Sequence, residues 1–326
     1  MSSTLSSNAT IVRPARFYIN GLHGVPHVKY YYIFLCLVYV VTVIGNVFIM
    51  LVIYLQRTLH TPKYIAVFNL AVADFGGSSA LIPKIIDVFF FKSQYISYEA
   101  CFSTMFFCFL FILIQSLTLL ILAYDRLIAI CLPLRYHAII TNIAMSSMIM
   151  GAWAFSLILI GFSTGWASRL SFCNSIVINS YFCDHGPTYK LACGNTNVNN
   201  IMAYIGFVAT LCAPVILITI TYFCIALALM RIASWAERTK ALKTCISHLI
   251  LVTMFYLPII AINIAAVTIP VHPNTRIINL SLSATMPPML NPIIYTLKTE
   301  EVVESVKKLY QRTKCKVHTP NQDQVH

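Results

Sequence analysis

Asp125 and Arg126 stand side by side in the run Leu122-Ala123-Tyr124-Asp125-Arg126-Leu127-Ile128-Ala129-Ile130-Cys131, at the end of a long uncharged stretch. A carboxylate beside a guanidinium forms an ion pair that a change of surroundings can open. The guanidinium has five donors and never loses its charge. A charge at the centre of a bilayer costs about 2.5–3.5 kcal/mol. The pair therefore belongs at a membrane edge, as a switch near the cytoplasmic surface that water and partner proteins can reach. Asp74 is a second acid, set deep in apolar sequence, so it is a functional candidate by default. A protonated, hydrogen-bonded Asp74 is the alternative reading. Lys84 and Asp87 lie one helical turn apart and can pair with each other. The competing hypothesis is that Lys84 faces a cavity and attracts a ligand carboxylate. His248 is a lone histidine, a packing or hydrogen-bonding group rather than a metal ligand. No metal-spaced set and no nucleophile–base arrangement is evident, so the chain does not read as an enzyme.

These residues must be positioned by membrane helices. Of 326 residues, 59% are hydrophobic and only 10% charged, against roughly 25% charged in a soluble protein. Seven apolar runs are long enough to span a bilayer, at residues 30–54, 64–90, 101–131, 143–166, 198–230, 244–269 and 277–297. They are too long for barrel strands and lack sustained alternation. The expected fold is an all-α membrane protein, a seven-transmembrane helix bundle. Residues 1–29 form an extracellular arm, 30–297 the bundle, and 298–326 a cytoplasmic tail.

Basic residues set the orientation. With the N-terminus outside, Arg57, Lys63, Arg126, Arg135, Arg231, Arg238, Lys240 and Lys243 fall on short inner loops, and six more bases fall on the tail. The outer loops are longer and sparser in charge. The net charge of +12 is thus a topology signal and an attraction to anionic inner-leaflet lipid, with no nucleic-acid partner implied. No cleavable signal peptide is visible, and the first span would serve as the insertion signal. Asn8-Ala9-Thr10 is a glycosylation sequon on the outer side. Cys101, Cys173, Cys183 and Cys193 also fall outside, where oxidation is allowed, and four cysteines permit three pairings. Cys315 in the basic tail is a candidate for palmitoylation or a plain thiol. Val302, Val303, Val306 and Leu309 recur at helical spacing among acids and bases, which predicts a short amphipathic helix after the seventh span. Pro83, Pro214, Pro258 and Pro292 interrupt spanning runs and kink them.

Several motifs together resemble one family. They are Gly45-Asn46; Leu59-His60-Thr61-Pro62-Lys63-Tyr64 with Leu70-Ala71-Val72-Ala73-Asp74; Ala123-Tyr124-Asp125-Arg126 through Cys131; Lys240-Ala241-Leu242-Lys243-Thr244-Cys245-Ile246-Ser247-His248; and Pro287-Pro288-Met289-Leu290-Asn291-Pro292-Ile293-Ile294-Tyr295. In that order and spacing the chain resembles an odorant receptor of the rhodopsin-like G-protein-coupled class, over nearly its whole length. The resemblance implies that a small odorant binds in the bundle and that a heterotrimeric G protein, a stimulatory one raising cyclic AMP, binds inside. It implies a multi-pass protein of the plasma membrane of olfactory sensory neurons, serving the sense of smell. The rival is a non-olfactory rhodopsin-like receptor for another small ligand.

The resemblance also implies roles residue by residue. Asp125, Arg126, Tyr222, His248, Asn291, Pro292 and Tyr295 form the activation switch, with Tyr222 and Tyr295 swinging toward Arg126 and His248 holding the inactive state. Cys101 pairs with Cys183, and Cys173 with Cys193. Asp74, Asn46 and Asn291 form a sodium site, although Gln115 stands where the family often has Glu, which removes a carboxylate. No other cofactor is implied. The ligand set is Cys108, Phe109, Ile112 and Leu113 from the third span, Phe207 and Thr210 from the fifth, Tyr256, Ile259 and Asn263 from the sixth, and Ser281 and Thr285 from the seventh. Trp153 is a packing landmark. The ligand's identity and charge, and the oligomeric state, are not legible.

Overall fold

The structure is a computed structural model that describes residues 12–22, 25–91, 93–173, 175–232, 234–268, 272–298 and 302–304. Its frame is seven long helices: Val28–Leu55, Pro62–Phe91, Tyr98–Cys131, Asn142–Ala167, a fifth running from Asn197 to Met230, Trp235–Thr268 and Pro273–Lys298. Six are individually long and apolar enough to cross a membrane. The seventh has 26 residues, and prolines and asparagines dilute its apolar character. The helices outrun the apolar runs in the sequence, most of all the sixth, which starts at Trp235. Hydropathy marks only the stretch inside lipid, whereas the backbone ladder continues into the polar ends.

Local chemistry sets several boundaries. Ser97 caps the third helix by accepting from the Ala100 N–H at 3.2 Å, and Thr141 caps the fourth by accepting from Ala144 at 3.1 Å. The fifth helix opens into a π-helical turn at Val208–Cys212 just before Pro214. A prolyl nitrogen has no N–H to give the carbonyl four residues earlier, so the ladder must adjust there.

The third helix is the central post, with 61% of its spanning stretch buried against 22% for the fourth and fifth. It packs against the second, fourth, fifth and sixth helices. Close approach to the second helix depends on Gly76, where a Cβ would lie 2.3 Å from the Phe111 ring tip. The first and seventh helices meet at Gly45, where a Cβ would lie 3.0 Å from Pro292. Asn69 ties three helices together. Its amide donates to Thr118 at 2.8 Å and accepts from the Trp153 indole at 2.8 Å.

One end of the bundle carries a small sheet absent from the all-α expectation. Strand β1 (Arg16–Ile19) lies between β2 (Tyr95–Ser97), antiparallel, and β3 (Val177–Ile178), parallel. Phe17 on β1 is fully buried against Tyr98, Phe102 and Phe172. Thus part of the N-terminal arm is built into the outer surface. Disulfides join Cys101 to Cys183 and Cys173 to Cys193 at this same end. Cys101 lies near one end of the third helix, and Asp125 and Arg126 near the other. Asn8, Cys315 and most of the expected amphipathic helix lie outside the described residues. Of that helix, Val302–Glu304 is helical, and Val302 packs into the inner core.

Candidate functional site

At the inner end, Arg126 Nη2 lies 3.2 Å from Asp125 Oδ2. Asp125 is fully buried, and its other oxygen accepts from the Tyr136 hydroxyl at 2.8 Å. Tyr136 follows the third helix in the inner loop, and sequence reasoning missed it. Burial, then the neighbouring carboxylate, pushes its phenol up, so it stays a donor. The ion pair thus has one partner that opens to solvent and one that is locked.

Beside it, His248 Nε2 contacts the Leu119 carbonyl at 3.1 Å, and Nδ1 contacts the Tyr222 hydroxyl at 2.7 Å. A carbonyl only accepts, so Nε2 carries the proton and Nδ1 accepts from Tyr222. His248 therefore joins the third, fifth and sixth helices while neutral. Tyr222 bonds His248 here, and among the described residues the ion pair of Arg126 is with Asp125.

Midway across, Asp74 is 1% exposed. Gln115 donates to one oxygen at 2.9 Å and Asn291 to the other at 2.7 Å. Asn46 does not reach it. Its amide donates to the carbonyls of Thr42 and Pro288, both at 2.9 Å. The Pro288 carbonyl is the one that Pro292, four residues on, leaves without a helical donor. Tyr295 and Pro292 close the same small space beside Asp74. In this arrangement one carboxylate faces two amide N–H groups, and the third residue turns its amide to backbone. Hydrogen bonds alone satisfy Asp74.

One residue further along the third helix, the Ser116 hydroxyl donates to the Thr210 carbonyl at 2.7 Å and lies 2.8 Å from the Tyr256 hydroxyl. Ser116 ties the fifth helix to the third through Thr210 and the sixth through Tyr256, and Gln115 ties the second through Asp74, whose other oxygen takes Asn291 of the seventh. Gln115 drew notice only as a missing carboxylate, and Ser116 carried no signal of its own. The nearest clue was Pro214, which orphans Thr210.

Above this layer lies a cavity of about 390 Å³, lined more by apolar than by polar surface. Phe109, Ile112, Phe207, Thr210, Ile259 and Asn263 line it. The other five expected ligand residues lie elsewhere. Cys108 packs toward Leu35 and Leu81. Leu113 is fully buried beside Ala73 and Ile160. Tyr256 is committed to Ser116. Ser281 bonds Tyr31 at 2.5 Å, and Thr285 bonds the Ser281 carbonyl at 2.8 Å. Helix-face reasoning fixes a side chain's direction only to within a turn, and these five are committed to other packing or to hydrogen bonds, Thr285 to its own helix.

The cavity roof comes from the long outer loop, through Tyr181, Phe182, Asp184 and His185. The signal was present: these residues flank Cys183, and a bond to Cys101 draws them over the third helix. Burial pushes His185 down to about 4 and holds it neutral. Burial pushes the Asp184 carboxyl up, partly offset by Arg276. Lys84 is not among the lining residues. Its ammonium bonds Asp87 at 2.7 Å and the carbonyls of Ser93 and Tyr95 at 2.8 Å each. All three donors are used, so the pairing reading holds and no donor remains for a ligand.

A seven-helix bundle with a disulfide-roofed cavity at one end and an Asp-Arg pair at the other defines a rhodopsin-like receptor. Squid rhodopsin shares the fold with a TM-score of 0.70 over 91% of this chain and 90% of that one, at 17% identity. The family model described as Olfactory receptor matches residues 35–313, and the chain belongs to that family. Human Olfactory receptor 51I1 is 32% identical over 95% of this chain and 100% of its own length. Human Olfactory receptor 51F2 is 34% identical over 93% and 89%, and human Olfactory receptor 52Z1P is 38% identical over 83% and 91%. The protein is accordingly a multi-pass membrane receptor of the odorant-sensing, G-protein-coupled kind, and not an enzyme.

Proposed function

We propose that a small odorant enters from the outer side, occupies the cavity beneath the Cys101–Cys183 loop, and shifts the bundle toward a state that engages a heterotrimeric G protein. The carrying observation is that one cavity touches the third, fifth, sixth and seventh helices and the outer loop at once. A ligand there contacts elements whose inner ends hold the switch. Only a difference in affinity between two bundle arrangements shifts their balance. In the engaged state the inner end of the sixth helix moves outward, the Tyr222–His248 bond opens, and Arg126 meets the partner. Arg231, Arg238 and Lys243 border that docking face. The G protein is a stimulatory one that raises cyclic AMP. The receptor works in the plasma membrane of olfactory sensory neurons, with residues 1–29 outside and 298–326 inside.

The test is cyclic AMP in transfected cells exposed to an odorant panel, with ion flux recorded in parallel. Ligand-dependent cyclic AMP without flux supports the reading. Flux that does not require a G protein contradicts it.

A further inference from the structure

Gln115 stands at the joint between the cavity and the Asp74 network. It is 5% exposed, yet it lines the cavity wall. Its amide nitrogen donates to Asp74 at 2.9 Å. Both Asp74 oxygens accept from amide N–H groups, and the Gln115 amide presents its nitrogen there and its oxygen away. Among the described residues, that oxygen accepts no hydrogen bond, and it is not sealed in protein. For a side chain this deep, the accessible surface left to it is the cavity's. The floor thus offers a fixed acceptor whose orientation a second bond enforces. Two other polar groups of the lining spend their donors within their own helices. The Asn263 amide donates to its own helix at 2.7 Å, and Ser283 donates to Asn279 at 2.7 Å.

We propose that the Gln115 carbonyl is the polar anchor for the ligand, taking a hydrogen bond from a neutral hydroxyl, and that preferred ligands are small apolar alcohols. This deepens the small-molecule reading and rests on it. A hydroxyl fits better than an ether, ester or ketone, which bring only acceptors to an acceptor. The same amide holds Asp74, whose other oxygen holds Asn291 on the seventh helix. A bound hydroxyl polarises that chain of hydrogen bonds and strengthens it. Ligand contact on the third helix is thereby felt beside Pro292 and Tyr295, in the space they share with Asp74. Gln115 is both a ligand contact and the positioning residue for this network.

The experiment uses the full-length receptor in cells with a cyclic AMP readout and surface staining. The probes are medium-length aliphatic alcohols, each paired with its methyl ether and its carboxylic acid. In the wild type the alcohol is expected to be about tenfold or more potent than its ether. Gln115→Leu is expected to erase that ratio, lowering alcohol potency to the level of the ether. Equal potency of alcohol and ether in the wild type overturns the inference, as does a Gln115→Leu receptor that keeps the preference. Acids more potent than alcohols also overturn it, since they place the anchor on a cation. The wild-type pairs decide the matter even where the variant fails to reach the surface. Silence of a surface-expressed wild type toward every probe overturns the small-molecule reading itself.

Discussion

The Ser116 hydroxyl donates to the Thr210 carbonyl at 2.7 Å, and Thr210 lies four residues before Pro214, whose nitrogen has no proton to give it. Asn46 does the same for Pro288 ahead of Pro292. In lipid an unpaired carbonyl finds no water, so a side chain from a neighbouring helix must take it. Pro214 and Pro292 thereby become points where two helices are joined.

Removing the donor leaves that carbonyl unmet. Ser116→Ala is expected to cost about 1–3 kcal/mol, seen as a lower melting temperature of the purified receptor. In a Pro214→Ala background the helix supplies its own N–H, and the cost of Ser116→Ala should shrink. Equal costs in both backgrounds would contradict the assignment.

Gly76 lets the second and third helices touch. A methyl there would meet the Phe111 ring at 2.3 Å, so Gly76→Ala is expected to destabilise by about 1–3 kcal/mol and reduce surface expression. Phe111→Leu should recover part of the loss. A Gly76→Ala receptor as stable as wild type would show that the ring moves freely.

Lys84 fastens the end of the second helix to the strand at Tyr95. Lys84→Met should lower stability and surface expression, leaving the relative potencies of acidic and neutral ligands unchanged among receptors that arrive. A selective loss of acidic ligands would restore the ligand role to Lys84.

The outer loop should respond to pH. His185 is held near 4 by burial, below its unfolded value of about 6.5. Between those values the unfolded chain binds more protons, so stability rises with pH across that window and falls on acidification. Asp184, pushed up by burial, acts in the opposite sense over its own range. Thermal scans from neutral to acidic pH should show a fall that His185→Phe removes. An unchanged slope in His185→Phe would assign the fall to another group.

The helices were legible in the sequence because lipid demands long apolar runs, and their count followed directly. The sheet was not, since β1 and β3 are a few residues each and exist only through pairing. The Asp125–Arg126 pair was legible because charges in such sequence must have a reason. Asn69, Ser116 and Tyr136 were not, because each is an ordinary polar residue whose role lies in a group on another element. Lys84 was half legible: helical spacing indicated Asp87, but nothing local indicated the carbonyls of Ser93 and Tyr95. Asn46 was read toward Asp74 because its motif lies near, while the orphaned Pro288 carbonyl holds it elsewhere.

The central claim is that Arg126, paired with Asp125 at 3.2 Å, is the group that the switch delivers to the G protein. The most direct measurement is cyclic AMP from Arg126→Ala beside wild type at matched surface expression, under an activating odorant. Loss of the response with surface expression retained is the expected result. Cyclic AMP equal to wild type would contradict the account.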